Sequence, residues 1–226
     1  MNPFDTYFNK YDSWYEKPFG KSAYDLEVKC LKSLMDDFNI SLEIGVGTGR
    51  FAHALGIQYG IDTSINMLKI AKERGVKVAL AKGENLPFKD GIFDSVFIIV
   101  TICFVDNPQR VIDEAYRVLR DDGNLYLGLI LKESKWAKFY QEKAKQGHPL
   151  YKQATFYSFF DIKNFVKGKF SFEVIKSTLL EEPQDIQPIK NREIKLGFYE
   201  NAGFTCLKLK KGKKTEKRKE GVQGQY

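Results

Sequence analysis

The feature that most constrains the fold of this 226-residue chain is a run of three closely spaced glycines. Gly45, Gly47 and Gly49 follow a short apolar segment, residues 40–44, which includes the acidic residue Glu43. An amphipathic segment comes next, so the pattern predicts a strand, a tight glycine turn and a helix. Because glycine has no Cβ, such a turn brings backbone N–H groups and the positive end of a helix close to a ligand. The run therefore predicts a small-molecule binding loop.

The spacing of the glycines distinguishes between ligand classes. Dinucleotide sites use Gly-x-Gly-x-x-Gly, and Walker-type phosphate sites require Gly-Lys-Ser/Thr. Here the pattern is Gly-x-Gly-x-Gly with an acidic residue two positions before it. The arrangement of Glu43, Gly45, Gly47, Thr48 and Gly49 resembles motif I of the class I S-adenosylmethionine-dependent methyltransferases.

The segment after this loop agrees with the resemblance. A second strand over residues 56–62 ends at Asp62, where doubly wound folds place a carboxylate on the ribose hydroxyls. Asp62 is therefore the expected ribose ligand, with a plain helix cap as the alternative. Thr63 or Ser64 is expected to cap the next helix, and Met67 to face the adenine, with core packing as the alternative for Met67.

Two later segments resemble the same family in the right order. The segment from Gly83 and Glu84 to Phe88 is similar to the loop beside the adenine, although residues 81–83 read Ala-Lys-Gly where the family commonly has Gly-Asp-Ala. Residues 114–123 are similar to the family's Glu-x-x-Arg-Val-Leu-Lys-Pro-Gly-Gly segment. Thr101, after strand four, is expected to line the methyl site. The full set of expected cofactor-binding residues is Glu43, Gly45, Val46, Gly47, Thr48, Gly49, Asp62, Thr63, Met67, Gly83, Glu84 and Thr101.

The resemblance implies an α/β fold with a Rossmann-like, doubly wound sheet of seven strands. The sheet is expected to be mostly parallel with an antiparallel strand 7, and to carry helices on both faces. We expect a single domain over residues 1–210, with an N-terminal lid and helix (1–37), a cofactor-binding core (38–131) and a substrate cap inserted after strand 5 (132–157). Residues 211–226 are expected to be a basic disordered tail. Strands are predicted at residues 40–44, 56–62, 76–81, 95–100, 125–131, 170–180 and 203–210.

The net charge of +7 is concentrated at the C-terminus. Residues 208–226 contain eight basic and two acidic residues, a charge of +6, which leaves +1 for residues 1–207. Because the segment lacks aromatic or apolar periodicity, a solvated tail is favoured over an RNA or membrane anchor, although the tail leaves nucleic-acid binding open.

Hydrophobic content and cysteine spacing suggest a soluble enzyme. Hydrophobic residues make up 43% of the chain, but the longest apolar run, residues 96–105, is too short to span a bilayer. No charged-then-apolar leader is recognisable, so a cytoplasmic location is expected. The three cysteines are widely spaced and lack metal-ligand spacing, which suits a reducing compartment and predicts no metal site.

Two aromatic segments are candidates for the acceptor side of the site. Residues 4–19 carry seven aromatic side chains, and plain packing against the sheet edge is the alternative to a lid. A sulfonium cation favours aromatic faces, and in the resembling family this segment folds over cofactor and substrate. The lid and substrate candidates are Tyr11, Trp14 and Tyr15 in this segment, and Trp136 and Tyr140 in the cap.

Methyl transfer depends mainly on aligning the two reactants, and a base is needed only when the acceptor arrives protonated. His148 in the cap is the candidate base, with a surface turn as the alternative. The leading hypothesis is an S-adenosylmethionine-dependent methyltransferase that acts on a small molecule and releases S-adenosylhomocysteine. The alternatives are a methyltransferase of tRNA or protein and a non-catalytic module that binds either compound. The acceptor, its reacting atom and the choice between monomer and homodimer stay open.

Overall fold

The computed structural model describes residues 3–184 and 186–212, so residues 213–226 of the predicted tail lie outside it. One sheet organises these residues, in the strand order β3-β2-β1-β4-β5-β8-β6-β7. The strands are β1 Ser41–Ile44, β2 Tyr59–Asp62, β3 Lys77–Leu80, β4 Phe93–Ile99, β5 Leu119–Leu129, β6 Phe170–Thr178, β7 Lys195–Leu196 and β8 Phe204–Lys211.

The sheet confirms the α/β class but has eight strands where seven were predicted. Strands β3, β2, β1, β4 and β5 pair in parallel, and β8 inserts antiparallel between β5 and β6. β8 is therefore the predicted antiparallel strand 7. The additional strand is the two-residue β7, which pairs with the edge of β6. Two residues are too short to produce an alternating pattern, so the sequence carries no signal for β7.

Helices cover both faces of the sheet, as expected. They are α1 Pro3–Trp14, α2 Pro18–Lys32, α3 Arg50–Leu55, α4 Ile65–Glu73, α5 Pro108–Val118, α6 Lys135–Lys145 and α7 Phe159–Val166. In β4, Phe97 and Ile99 join the core beneath α2, α3 and α6, whereas Val96 and Ile98 join the core beneath α5 and α7. This alternation arises because successive side chains of a strand point to opposite faces.

The N-terminal aromatic segment is itself helical. A helix was expected only from about Ser22, but α1 spans Pro3–Trp14 and α2 already begins at Pro18. Proline is favourable in the first turn of a helix because its missing N–H would have no intrahelical partner there. Gly20 permits the close turn between the two helices, since a Cβ on it would lie 2.1 Å from the Trp14 carbonyl oxygen.

The structure pairs two of the three cysteines, although their wide spacing suited a reducing compartment. Cys30 of α2 and Cys206 of β8 are joined as a disulfide, with their Cα atoms 6.5 Å apart, and Cys103 is buried and free. The two positions lie 176 residues apart in the chain, so their contact follows only from the packing of α2 on the sheet. Within the described residues, no helix is long and apolar enough to cross a membrane.

Candidate active site

A cavity of about 990 Å³ lies beyond the carboxyl ends of β1, β2 and β4. Ligands of open α/β sheets bind at this edge. The floor of the cavity includes Gly45, Asp62 and Thr101, which follow or end those three strands. α1 and residues 140–153 form much of the opposite wall.

The glycine loop approaches the cavity with its backbone. Gly45, Gly47 and Gly49 all have positive φ angles, of 74°, 53° and 78°, a conformation that is strained for other residues. A Cβ on Gly45 would lie 2.2 Å from Cγ2 of Thr101, and a Cβ on Gly49 would lie 2.9 Å from Ala71. The sequence therefore requires glycine at both positions for packing.

Gly47 differs from the other two glycines because it borders open space. A Cβ on Gly47 would meet nothing nearer than Sδ of Met67 at 3.5 Å and Cε1 of Tyr11 at 3.9 Å. Gly47 and both of these side chains line the cavity. A side chain at position 47 would therefore occupy space that a ligand could fill.

Asp62 lines the cavity and also supports the loop. Its Oδ2 accepts a hydrogen bond from the N–H of Gly47 at 2.9 Å, and its Oδ1 accepts one from the N–H of Ser64 at 2.8 Å. Burial raises the pKa of Asp62 although these backbone donors lower it. The helix cap itself is Ser64, whose hydroxyl oxygen accepts from the N–H of Met67.

Glu43 lies under the loop and does not line the cavity. Its side chain is 1% exposed, and one carboxylate oxygen has no hydrogen-bond partner within the described part of the chain. Burial first, and then the nearby charge of Asp62, raise its pKa well above the usual range, although a hydrogen bond from the backbone of Ala52 opposes the shift. Glu43 therefore has an unused acceptor directly behind the loop.

The remaining expected cofactor residues divide into two groups. Thr63, Met67, Gly83, Glu84 and Thr101 all line the cavity. In contrast, Val46, Thr48 and Gly49 face away from it: Val46 packs against Gly60, Gly49 against Ala71, and the hydroxyl of Thr48 donates to Asp12 at 2.6 Å. Val46, Thr48 and Gly49 thus do not line the cavity, and the structure places them in supporting contacts of the loop instead of in direct reach of a ligand there.

Glu84 is held in place by the chain that follows β4. Its Oε1 accepts hydrogen bonds from the N–H groups of Asp106 at 3.0 Å and Asn107 at 3.1 Å. The hydroxyl of Thr101 lies 3.2 Å from the carbonyl oxygen of Gly45 and 2.9 Å from that of Ile99. These contacts connect the ends of β1, β3 and β4 around one side of the cavity.

The three expected lid residues line the cavity from α1 and the turn after it. The hydroxyls of Tyr11 and Tyr15 are 2.9 Å apart, and the ring of Trp14 lies edge-on to Tyr15 with centroids 5.0 Å apart. Burial raises the pKa of both tyrosines, so they remain neutral phenols at physiological pH. The structure thus brings Tyr11, Trp14 and Tyr15 together above the glycine loop.

Polar contacts attach α1 to the side of the cavity formed by the glycine loop. The Asp12 carboxylate accepts hydrogen bonds from Arg50 at 2.8 and 2.9 Å and from Arg74 at 2.9 Å. Burial raises the pKa of Asp12, but the hydrogen bonds from Arg50, Arg74 and Thr48 outweigh it, and the pKa falls well below the usual range. At the other end of α1, Asp5 accepts a hydrogen bond from the hydroxyl of Ser64 at 2.6 Å.

The cap residues are placed differently from one another. Tyr140 and His148 line the cavity, and the His148 ring stacks on Tyr151 with centroids 4.3 Å apart. Trp136 does not line it, which corrects its assignment as a substrate contact. Its ring is 1% exposed, stacks on Phe19 and donates its Nε1–H to the carbonyl oxygen of Glu181 at 3.0 Å.

Glu27 lines the cavity but was not identified from the sequence. It lies on α2, is 5% exposed, and burial raises its pKa to about 8. The sequence does carry a signal, because Ala23, Cys30 and Leu31 occupy positions i−4, i+3 and i+4 on the same buried face. A glutamate on such an apolar stripe is a candidate functional group.

Comparison with known proteins agrees with this geometry. The sequence model of a family described as "Methyltransferase domain" matches residues 42–127. An uncharacterized protein of Methanocaldococcus jannaschii is 40% identical to this chain, over 93% of this chain and 100% of that protein.

Solved structures give the same result. A crystal structure from Thermotoga maritima, described as a SAM-dependent methyltransferase and possible histamine N-methyltransferase, matches with a TM-score of 0.83 and 35% identity, covering 92% of this chain and 97% of that chain. The N-methyltransferase NodS of Bradyrhizobium japonicum, solved with S-adenosylhomocysteine, is 13% identical and shares the fold, with a TM-score of 0.58 over 87% of this chain and 89% of that chain.

Proposed function

Because this chain belongs to the class I S-adenosylmethionine-dependent methyltransferases, we propose that it methylates a small-molecule acceptor bound in this cavity. One observation carries the proposal: a single cavity connects the glycine loop and Asp62 to a chamber walled by aromatic side chains. Both reactants of a methyl transfer need to be held next to each other, and this cavity offers one continuous space for them.

The residues on the floor of the cavity fit S-adenosylmethionine. Gly47 leaves an open approach to the backbone, and Asp62 presents a carboxylate beside it. We propose that Gly45, Gly47, Asp62, Thr63, Met67, Gly83, Glu84 and Thr101 hold this cofactor. When bound, S-adenosylmethionine supplies an electrophilic methyl group on a sulfonium.

The side chains of this protein contribute binding and exclusion of water. Tyr11, Trp14 and Tyr15 offer electron-rich faces suited to a cation and cover the glycine loop. Since charge on the sulfur disperses during transfer, alignment in a dry site accounts for much of the rate. The cover of the cavity by α1, and its volume of about 990 Å³, which is within the range of small-molecule pockets, support a small acceptor. The description of the Thermotoga maritima relative as a possible histamine N-methyltransferase supports the same class.

Titration calorimetry with S-adenosylmethionine, S-adenosylhomocysteine and NAD tests the proposal. We expect micromolar binding of the first two compounds and no response to NAD, because the glycine spacing does not suit a dinucleotide. Turnover of any acceptor would eliminate the non-catalytic alternative. Silence toward all three compounds would contradict the proposal.

A macromolecular acceptor is the second candidate, and the basic segment after β8 favours it. A truncation that tests it must begin after Gly212, because Lys208 lies within β8 and pairs with Asp36 and Glu173. If the acceptor is a small molecule, removal of residues 213–226 will leave turnover unchanged. A loss of RNA or protein methylation on truncation would favour the second candidate.

A further inference from the structure

Glu27 is a buried carboxylate that faces the cavity without a partner. It lies in α2 with 5% of its surface exposed. Across residues 3–184 and 186–212, no side chain or backbone group donates a hydrogen bond to it, and no cation pairs with it. The Asp12 carboxylate, by comparison, receives donors from two arginines. Glu27 therefore has its full capacity for hydrogen bonding available to a ligand.

An unpaired carboxylate in this position destabilises the folded protein. Burial is the cause that raises the pKa of Glu27 to about 8. Replacement by an apolar residue would remove this cost and would match the neighbouring Ala23, Leu26, Cys30 and Leu31, which are all buried. A group that is costly in the free protein and open to a cavity indicates a ligand as the missing partner.

The walls around Glu27 favour a cation. Tyr11 and Tyr15 lie close enough for the charge of Glu27 to raise the pKa of each phenol. Their rings, with those of Trp14, Tyr140 and Tyr151, line the same cavity, and aromatic faces attract ammonium groups. The other titratable side chains that line the cavity are Tyr7, Lys10, Lys17, Asp62, Lys82, Glu84, Asp106, Lys143 and His148.

The lysines of the cavity do not neutralise Glu27. Lys10, Lys17 and Lys82 are exposed to solvent at its rim. Lys143 lies over the ring of Phe139, with Nζ 4.6 Å from the centroid. The only acids other than Glu27 that line the cavity in the described residues are Asp62, Glu84 and Asp106, which the N–H contacts above place beside the glycine loop or after β4. Glu27 is thus the acid on the aromatic side.

We propose that the acceptor is a small amine with an apolar or aromatic body, and that Glu27 binds its ammonium group and takes its proton. This inference rests on the proposed function. On binding, the ammonium displaces to solvent the proton that Glu27 holds in the free protein. The bound ammonium then transfers one of its own protons to the Glu27 carboxylate, which frees the nitrogen lone pair. The nitrogen then forms a bond to the methyl carbon as the carbon–sulfur bond breaks, and that electron pair stays on sulfur. The methylated amine leaves as an ammonium ion.

Binding of two matched probes tests the inference in the presence of S-adenosylhomocysteine. The probes are 2-phenylethylamine, with histamine as a second amine, and the neutral analogue 2-phenylethanol. We compare the wild type, Glu27→Gln and the control Asp25→Asn, which removes an exposed carboxylate from the same helix. We expect Glu27→Gln to weaken amine binding at least tenfold and to leave the alcohol unchanged, and Asp25→Asn to change neither.

Proton release gives a second readout that does not depend on a variant. Glu27 is mostly protonated at pH 7, so an ammonium that pairs with its carboxylate must displace that proton into the buffer. Calorimetry of the amines in phosphate and in Tris, which differ in ionisation enthalpy, measures this release. We expect most of one proton per amine for the wild type and Asp25→Asn, and none for the alcohol.

The outcomes separate this inference from its premise. If the wild type fails to bind S-adenosylhomocysteine, the proposed function is overturned and this inference falls with it. If S-adenosylhomocysteine binds to all three proteins but neither amine binds, or amines bind equally to Glu27→Gln, only this inference is overturned. Amine binding by the wild type without proton release would also overturn it.

Discussion

The two halves of the cavity are built by different means. The proposed cofactor side is formed largely by backbone at the ends of adjacent strands, with Gly47 and Asp62 joined by a direct hydrogen bond. The proposed acceptor side consists of side chains from α1 and α2 and from the region after β5, which lies more than a hundred residues further along the chain. A ligand site formed by backbone needs glycines at a defined spacing, so it appears in the sequence as a motif. A ligand site formed by side chains from distant segments produces no such motif.

The two halves are also connected by different forces. Asp12 of α1 forms charge-assisted hydrogen bonds with Arg50 and Arg74, which belong to the cofactor side. The contacts among Tyr11, Trp14 and Tyr15 are instead ring contacts and one hydroxyl pair. We therefore expect changes in the cofactor side to alter cofactor affinity directly, and changes in the acceptor side to alter acceptor binding or stability first.

The largest effect is expected for Gly47→Val. The new side chain would fill the space in front of the loop, at a residue whose φ is +53°, and would abolish cofactor binding. Gly56→Val is the matched control, because Gly56 has a φ of +73° with nothing within 4 Å of a Cβ. Calorimetry with S-adenosylhomocysteine measures the difference. Equal binding by both variants would show that the loop does not hold the cofactor.

The next effect concerns stability on the acceptor side. The pKa of Glu27 is about 8 in the folded protein, above its usual value of 4.5. Between pH 4.5 and pH 8, Glu27 therefore stays protonated in the folded state but is ionised in the unfolded state. The wild type should therefore lose stability as pH rises from about 5 to 8, by at most on the order of 5 kcal/mol at about 1.4 kcal/mol per pKa unit.

The free energy of unfolding of Glu27→Gln should lack this part of the pH dependence. The buried Glu43 also contributes a pH dependence, but it does so equally in the wild type and in Glu27→Gln. Urea unfolding of both proteins at pH 5.5 and pH 8 measures it, with Asp25→Asn as the control. Parallel pH dependence in the wild type and Glu27→Gln would mean that Glu27 ionises normally in the folded protein.

Asp62→Ala should weaken cofactor affinity by about 1–3 kcal/mol through lost hydrogen bonds. The N–H groups of Gly47 and Ser64 would also lose their acceptor. Asp37→Ala removes an exposed acid and serves as the control. Calorimetry with S-adenosylhomocysteine gives the affinities, and an unchanged dissociation constant for Asp62→Ala would exclude the carboxylate from the cofactor site.

The smallest effect is expected for Asp12→Asn, which weakens the connection between the two halves. Because the folded pKa of Asp12 is lowered, its stabilising contribution is present above the unfolded pKa of 3.8 and is lost as pH falls through the folded value. Asp12→Asn should be less stable than the wild type at neutral pH. On acidification, however, its free energy of unfolding should fall less than that of the wild type. Its cofactor affinity should fall less than that of Asp62→Ala.

Urea unfolding at pH 7 and pH 3 checks this prediction. Glu16→Gln provides the control, since Glu16 also pairs with Arg50 but is 67% exposed at its side chain. A variant Asp12→Asn that matches the wild type at both pH values would show that α1 is held by its ring contacts alone.

The fold was predicted largely from local patterns. Alternation and apolar runs predicted β1 to β6 and β8 with bounds that differ from the structure by up to about six residues, and the largest error was at β5, which begins at Leu119. The family resemblance then implied the antiparallel insertion of β8, which the pairing confirms. The helical state of residues 3–14 was missed because an aromatic stripe without a clear cap favours no single element.

What the sequence determined by itself is the glycine loop. Positive φ angles and close packing favour glycine over any other residue at positions 45 and 49. Because this requirement is local, it appears in the sequence as a fixed spacing of glycines. Asp62 is likewise a local feature, since it ends the adjacent strand β2. Their roles in cofactor binding remain predictions that the experiments above address.

Only the tertiary structure decided the acceptor side. Trp136 and Tyr140 are neighbours on α6, yet one supports the core and the other lines the cavity. The apolar stripe of α2 indicates that Glu27 is buried, but only the packing of α2 leaves its carboxylate open to the cavity. Access to the cavity, and the absence of a partner within the described residues, depend on segments that are distant in the chain, and no local pattern of residues records them.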